Sequence, residues 1–232
     1  MFDVLPIDRL CPTDDWWRLS GGAAGSPAAT GLVRPNSVTG GGFWLCDLTI
    51  PVYSPSQIKL ARAVVDAFDF GTVPVIVPSL EADFAPYPLS IPLRDTTFSD
   101  GAVFADGALF RSGGIDATVA ADAELRATRV SLAFTAAAPL QGGERFSLEH
   151  AVAARRLYEI VRVFDQLVIR PPLREAVTAY VGEVATLADF NRPGCIMRCT
   201  NCETALATLS FGKDTTLTLQ FQEAFPDADG NY

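Results

Sequence analysis

Histidine is almost absent: the 232-residue chain has one, His150. A Ser-His-Asp hydrolase would have to use it, and imidazole-rich zinc sites are excluded. A lone histidine reads as a loop or strand-end residue. Cationic side chains are also scarce. The 18 Lys and Arg face 27 Asp and Glu, giving a net charge of −9. They lean to Arg and form no run. Phosphate binding needs clustered cations, so a broad nucleic-acid surface and direct sequence-specific binding are not expected. No stretch approaches the ~20 apolar residues of a membrane-spanning helix, and no membrane partner is expected. The start, Met1-Phe-Asp-Val-Leu-Pro-Ile-Asp8, lacks the basic and apolar regions of a secretory signal. Charged residues are few, at 19%, against 49% hydrophobic, so the chain is globular rather than disordered. Its length suits one large domain or two small ones with a real core.

What is present is mostly strand signal. Residues 1–30 read as an N-terminal arm, with Trp16, Trp17 and Leu19 ahead of a flexible Ser20–Pro27 break. Paired Trp side chains anchor against something, either their own domain or a neighbour. The Gly40-Gly41-Gly42 run precedes a strand instead of opening a helix, so it reads as a turn and not a phosphate loop. Trp44, Cys46, Leu48 and Ile50 then alternate as in a half-buried strand. A helix follows at about 55–70, capped by Ser54 or Ser56, with Pro55 in its first turn and Ile58, Ala61, Val65 and Phe68 on one face. Thr72–Pro78 reads as a strand.

Further on, Phe98-Ser-Asp-Gly-Ala-Val-Phe104 repeats as Phe104-Ala-Asp-Gly-Ala-Leu-Phe110, which reads as two tight turns. Strands follow at Thr128–Phe134, Arg145–Leu148 and Leu167–Arg174. Leu157–Phe164 fits helix and strand equally. The end is a hairpin, Leu206–Phe211 and Thr215–Phe221, and a polar tail. Together these give a mainly β (α+β) chain. A β-sandwich with one flanking helix is split between residues 31–114 and 187–232. A small β-barrel-like module, 115–186, is inserted in it.

Chemistry has few footholds. Cys195, Cys199 and Cys202 stand in a C-x3-C-x2-C spacing. Three thiolates at this spacing hold a four-iron cluster in radical enzymes. Those enzymes need a large α/β barrel after the motif, and here only 30 residues follow Cys202. A zinc or iron–sulfur site completed by Cys11, Cys46 or His150 remains open. So do a Cys199–Cys202 disulfide and three reduced thiols. An odd cysteine count without a signal favours reduced thiols and no cofactor. Asp14 and Asp15 are adjacent, so in an extended chain their carboxyls diverge and suit glycoside hydrolysis poorly. Asp122 and Glu124 read as solvated. The chain is not expected to be an enzyme.

Several pieces, in this order, resemble tail proteins of tailed phages and prophages of proteobacteria. They are the Gly42–Ile50 strand ahead of a helix, the Gly71–Pro78 strand and the turn pair Phe98–Phe110. Then come Ala123-x-Leu-Arg-Ala-Thr-x-Val130, Leu157-Tyr-Glu-Ile160, Arg170-Pro-Pro-Leu-Arg174, Met197-Arg198 and Phe221-x-Glu-Ala224. The resemblance covers roughly residues 42–224. It implies a structural virion protein of a siphovirus-like tail, a distal-tail or tail-tip ring subunit joining tail tube to hub. It also implies that Leu157–Phe164 is a strand. The implied partners are further copies of itself, in a hexamer or trimer, and the tube and hub proteins. The implied location is the virion tail tip, after assembly in the host cytoplasm. Interface candidates are Trp16, Trp17, Leu19, Phe98, Phe104 and Phe110. Two alternatives stand beside this reading: a tail-borne carbohydrate or host-receptor module, and a small Cys-ligated metal or iron–sulfur protein.

Overall fold

The computed structural model describes residues 3–21, 23–27, 33–37, 41–80, 85–86, 94–96, 110–112, 114–182, 184–206, 215–227 and 232. The chain is a β-rich α+β protein with curled antiparallel sheets and one substantial helix. In chain order its first strands are β1 (Asp14–Ser20), β2 (Ala23–Pro27), β3 (Val33–Ser37), β4 (Phe43–Val52), β5 (Val75–Pro78), β6 (Arg94–Thr96) and β7 (Phe110–Ser112). There follow β8 (Asp116–Val119), β9 (Arg129–Val130), β10 (Leu132–Ala136), β11 (Arg145–His150), β12 (Ala154–Val163) and β13 (Leu167–Arg170). The last are β14 (Tyr180–Val181), β15 (Val184–Ala185), β16 (Ala188–Asp189), β17 (Gly194–Cys199) and β18 (Thr215–Glu223). The helices are α1 (Ile7–Leu10), α2 (Pro55–Asp66) and α3 (Cys202–Ala205).

Two five-stranded sheets carry the architecture. The first runs β1-β4-β18-β17-β5, so its strands come from before residue 79 and after residue 193. The second runs β16-β11-β12-β13-β9 and draws only on residues 129–189. In β4 and β18 every second residue is buried, which is the period-2 pattern of a sheet with one face in a core. That face holds Cys46, Leu48, Ile50, Leu217, Leu219, Phe221 and Met197, and α2 lays Ile58, Ala61 and Val65 against it. The second core centres on Phe146, Tyr158, Ile160, Ile169 and Phe190, with Phe146 stacked on Phe190 at 5.1 Å.

The helix starts where its sequence says. Ser54 accepts the Gln57 N–H, Gln57 reaches back to the Ser54 N–H, and Pro55 takes the first turn. It stops earlier than residue 70. Asp69, Phe70 and Gly71 take positive φ values of 43°, 56° and 83°, so the chain leaves the right-handed helix in a left-handed turn.

The N-terminal segment is not a free arm. Residues 14–20 are the outer strand of the first sheet, paired with β4 from Asp14↔Thr49 to Ser20↔Phe43. Burial of Trp17, edge-on to Trp44 at 6.1 Å, accounts for that docking. Leu5 donates to the Ile76 carbonyl and Ile76 to that of Asp3, so residues 3–5 extend the opposite edge. Residues 157–163 lie in strand β12. Leu157 belongs to the first core while Tyr158 and Ile160 belong to the second. A strand buried on both faces has no period to read, which explains its ambiguity in sequence.

Candidate functional site

The two sheets meet around one carboxylate. Inward positions of β18 run Leu217, Leu219, Phe221, Glu223, so alternation puts Glu223 where an apolar residue belongs, and it is 3% exposed. Its Oε1 accepts from Arg156 Nη1 at 3.0 Å and Arg174 Nε at 3.1 Å. Its Oε2 accepts from Arg174 Nη2 at 2.9 Å and the Trp44 N–H at 3.0 Å. Arg156, on β12, is fully buried. It spends its other donors on the carbonyls of Ala153 and Ala224, both at 2.6 Å, and on Tyr232 Oη at 2.8 Å. Arg174 also donates to the Gly42 carbonyl at 2.6 Å. Phe225 covers the site, with each guanidinium about 5 Å from its ring centre.

The local sequence builds this approach. Gly41 has φ of 69°, and a Cβ there would lie 2.1 Å from Pro172 Cδ. Only glycine lets that backbone press on Pro172 and present the next carbonyl to Arg174. Trp44 Nε1 donates to the Leu157 carbonyl at 2.8 Å, a second tie between the sheets.

His150 ends β11 and attaches to the same joint. The Arg174 N–H donates to Tyr158 Oη at 3.1 Å, and Tyr158 Oη lies 2.8 Å from His150 Nε2. His150 Nε2 and Tyr158 Oη are thus hydrogen-bonded to each other, with the donor set by the imidazole tautomer. Burial pushes the His150 pKa down to about 4, with Glu175 pulling the other way. Burial raises the Tyr158 phenol above its usual value. Neither group is set to exchange protons near neutrality.

A cleft of ≈ 1200 Å³ lies beside this joint and is lined by His150, Arg155, Asp189, Asn191, Leu187 and Tyr232 among others. Several of its polar side chains are engaged within the chain, while Ser147 Oγ is buried there with no hydrogen-bond partner among the described residues. Arg155 Nε bonds Glu149 at 3.0 Å and its Nη1 lies 3.6 Å from Asp189. Asn191 is tied through both amide atoms to the backbone of Ile115. Of the carboxylates weighed from sequence, Asp14 and Glu124 are exposed, while Asp15 and Asp122 hold backbone and ring N–H groups. Asp15 accepts from Trp17 Nε1 and the Leu80 N–H, and Asp122 from the Ala179 N–H.

The three clustered cysteines do not form one ligand set. Cys199 and Cys202 are joined in a disulfide, their Cα atoms 5.9 Å apart where the chain turns from β17 into α3. Cys195 is buried four residues up the strand, about 13 Å away at strand rise. Burial pushes the Cys195 thiol up to about 12 and raises Cys46 further. Reduced thiols thus describe Cys11, Cys46 and Cys195 but not the 199–202 pair. Among the described residues no group of three or more His, Cys, Asp and Glu is placed to hold a metal ion.

The interface candidates divide. Trp16 is 58% exposed, Leu19 is half-buried against the first core, and Trp17 is a core residue unavailable to a neighbour. Phe98 and Phe104 lie outside the described residues, and Phe110 stands in β7. The joint itself escaped the sequence reading, although the inward place of Glu223 in the β18 alternation was the signal for it. No helix among the described residues is long and apolar enough to cross a membrane. No protein-family model matches the chain, and no curated protein matches it.

Three outcomes follow from this geometry. Glu223→Gln leaves two buried guanidinium groups short of a counter-charge and should lower unfolding stability by about 3–5 kcal/mol in urea titration. Folded His150 binds its proton only near pH 4, whereas the unfolded residue binds it near 6.5. The His150 contribution to stability should therefore be flat between pH 6.5 and about 8 and fall by about 3 kcal/mol between pH 6.5 and pH 4. His150→Gln, in the only histidine, should flatten that window. Thiol titration should find three free thiols in denaturant alone and five after reduction, the difference being the Cys199–Cys202 pair.

Proposed function

We propose that the chain is a non-enzymatic structural subunit of a phage tail, a distal-tail or tail-tip ring protein that self-associates and contacts tube and hub. The observation that carries this reading is the convergence at Glu223. Trp44, Tyr158, Arg174 and Glu223 each come from a different piece of the tail-protein resemblance. Those pieces are Gly42–Ile50, Leu157–Ile160, Arg170–Arg174 and Phe221–Ala224, and their side chains and backbone meet in one hydrogen-bonded network. A joint that needs all four gives a physical reason for them to occur together in one order.

The surface lends further support. Tyr180, Val181, Val184 and Leu187 cluster on and beside one hairpin, each more than 60% exposed, although both cores are well filled. Surface apolar clusters of this kind mark protein contacts. The carbohydrate reading draws less support, because Arg155, Glu149 and Asn191 beside the cleft are engaged internally. Gold-labelled antibody on particles from a lysate of the source tests the proposal. Label at the tail tip is expected, and particles without label would overturn it.

A further inference from the structure

The first core covers only part of the second sheet. In β11, Phe146 and Leu148 enter the second core, so Ser147 and Glu149 point to the opposite side. Ser147 stands opposite Asp189 of β16 on one flank and Leu157 of β12 on the other, and Glu149 stands opposite Arg155. Leu157 packs into the first core. Asp189, Ser147, Glu149 and Arg155 instead line the ≈ 1200 Å³ cleft. Ser147 is 2% exposed, and its Oγ has no hydrogen-bond partner among the described residues. Leaving a buried hydroxyl unpartnered costs free energy, so it marks a place that a bound group can complete.

Both neighbours of Ser147 on that face also keep an oxygen open. Glu149 accepts from Arg155 through Oε2, and Asp189 accepts the Asn191 and Arg192 N–H groups through Oδ1. Asp189 Oδ2 lies 3.6 Å from Arg155 Nη1, too long for a hydrogen bond. Arg155 reaches that point by crossing β11 on the cleft side. It can withdraw toward Glu149 without giving up a hydrogen bond to Asp189. The Glu149 and Asp189 side chains are 62% and 31% exposed, so they are reached from solvent, with Ser147 on the floor between them. Among the described residues, Ser147 Oγ, Glu149 Oε1 and Asp189 Oδ2 are thus three acceptors with capacity to spare on one face. Two carboxylates against one guanidinium also leave one negative charge uncompensated. An alkylammonium brings one positive charge and three donors with no acceptor. Exposed Val4, Val152 and Leu187 line the same cleft and offer an apolar wall to its stem.

We propose that this cleft binds the ammonium group of an alkyl amine, which donates to Ser147 Oγ, Glu149 and Asp189 and lays its stem against Val4, Val152 and Leu187. A lysine side chain of another protein and a free diamine carry that same chemistry. The site stands independently of the self-associating reading above.

NMR titration of the full chain tests it, because the only histidine, His150, lines the cleft and gives a single imidazole signal. Its ring stays neutral near neutrality, so the basicity of an added amine does not move that signal. The probes are acetyl-lysine methylamide and putrescine, and the control is acetyl-norleucine methylamide, which lacks only the ammonium. At least one amine should shift the signal saturably, and the control should not. Ser147→Ala should weaken binding about tenfold through loss of one hydrogen bond to a charged group. It removes only an unpartnered hydroxyl, so the fold is kept. Arg155→Gln should tighten binding about threefold, since it withdraws a competing cation. Stronger binding of the lysine derivative assigns the site to a protein side chain, and stronger binding of putrescine assigns it to a free diamine. A shift that never saturates, an equal response to the norleucine control, or unchanged affinity in Ser147→Ala would overturn the site.

Discussion

The rest of the structure hangs on the burial of Glu223. Removing a carboxylate from water costs several kcal/mol, and two guanidinium groups around it add their own desolvation. The oxygens of Glu223 take four hydrogen bonds, three from arginine nitrogens and one from a backbone amide. Replacing such a cluster by well-packed hydrophobic side chains is often neutral or stabilising. Its value lies elsewhere. An apolar contact tolerates sliding, but a forked guanidinium on a carboxylate accepts one geometry. The joint fixes how β18 of the first sheet meets β12 and the Arg174 segment of the second. Tyr158 and His150 extend it through the second core, and Tyr232 brings the chain end onto Arg156.

Legibility in the sequence followed burial. β4, α2 and β18 each bury one face, so their periods are clean and both ends of the helix cap are visible. β12 sends Leu157 into the first core and Tyr158 and Ile160 into the second, so burial at Leu157 interrupts its period-2 pattern. β1 was hidden differently. Its partner lies 29 or so residues on, across a glycine-rich stretch, and local composition there signals a break. Only the register of Trp17 opposite Cys46 makes it a strand. The joint was half legible. The alternation Leu217, Leu219, Phe221, Glu223 points a carboxylate inward, and Ala154, Arg156, Tyr158, Ile160 points a guanidinium inward. Pairing the two requires knowing that β12 packs on β17, the neighbour of β18, which no local pattern states. The cysteine spacing was compatible with a cluster, a disulfide or free thiols, and the turn from β17 into α3 decided it.

The left-handed turn shows the same logic on the surface. Helix α2 could have ended on Gly71 with an ordinary left-handed cap. Instead Asp69 and Phe70 share the left-handed conformation, which costs about 1–2 kcal/mol per residue. Phe68 in the core and Gly71 on β17 supply the contacts that hold it.

The Arg156–Glu223–Arg174 cluster ties β18 of the first sheet to β12 and the Arg174 segment of the second. Any slide of one sheet on the other would strand a buried charge, which costs far more than a small loss of apolar contact. A device that adds little net stability but fixes one orientation accounts for a carboxylate at the inward end of β18.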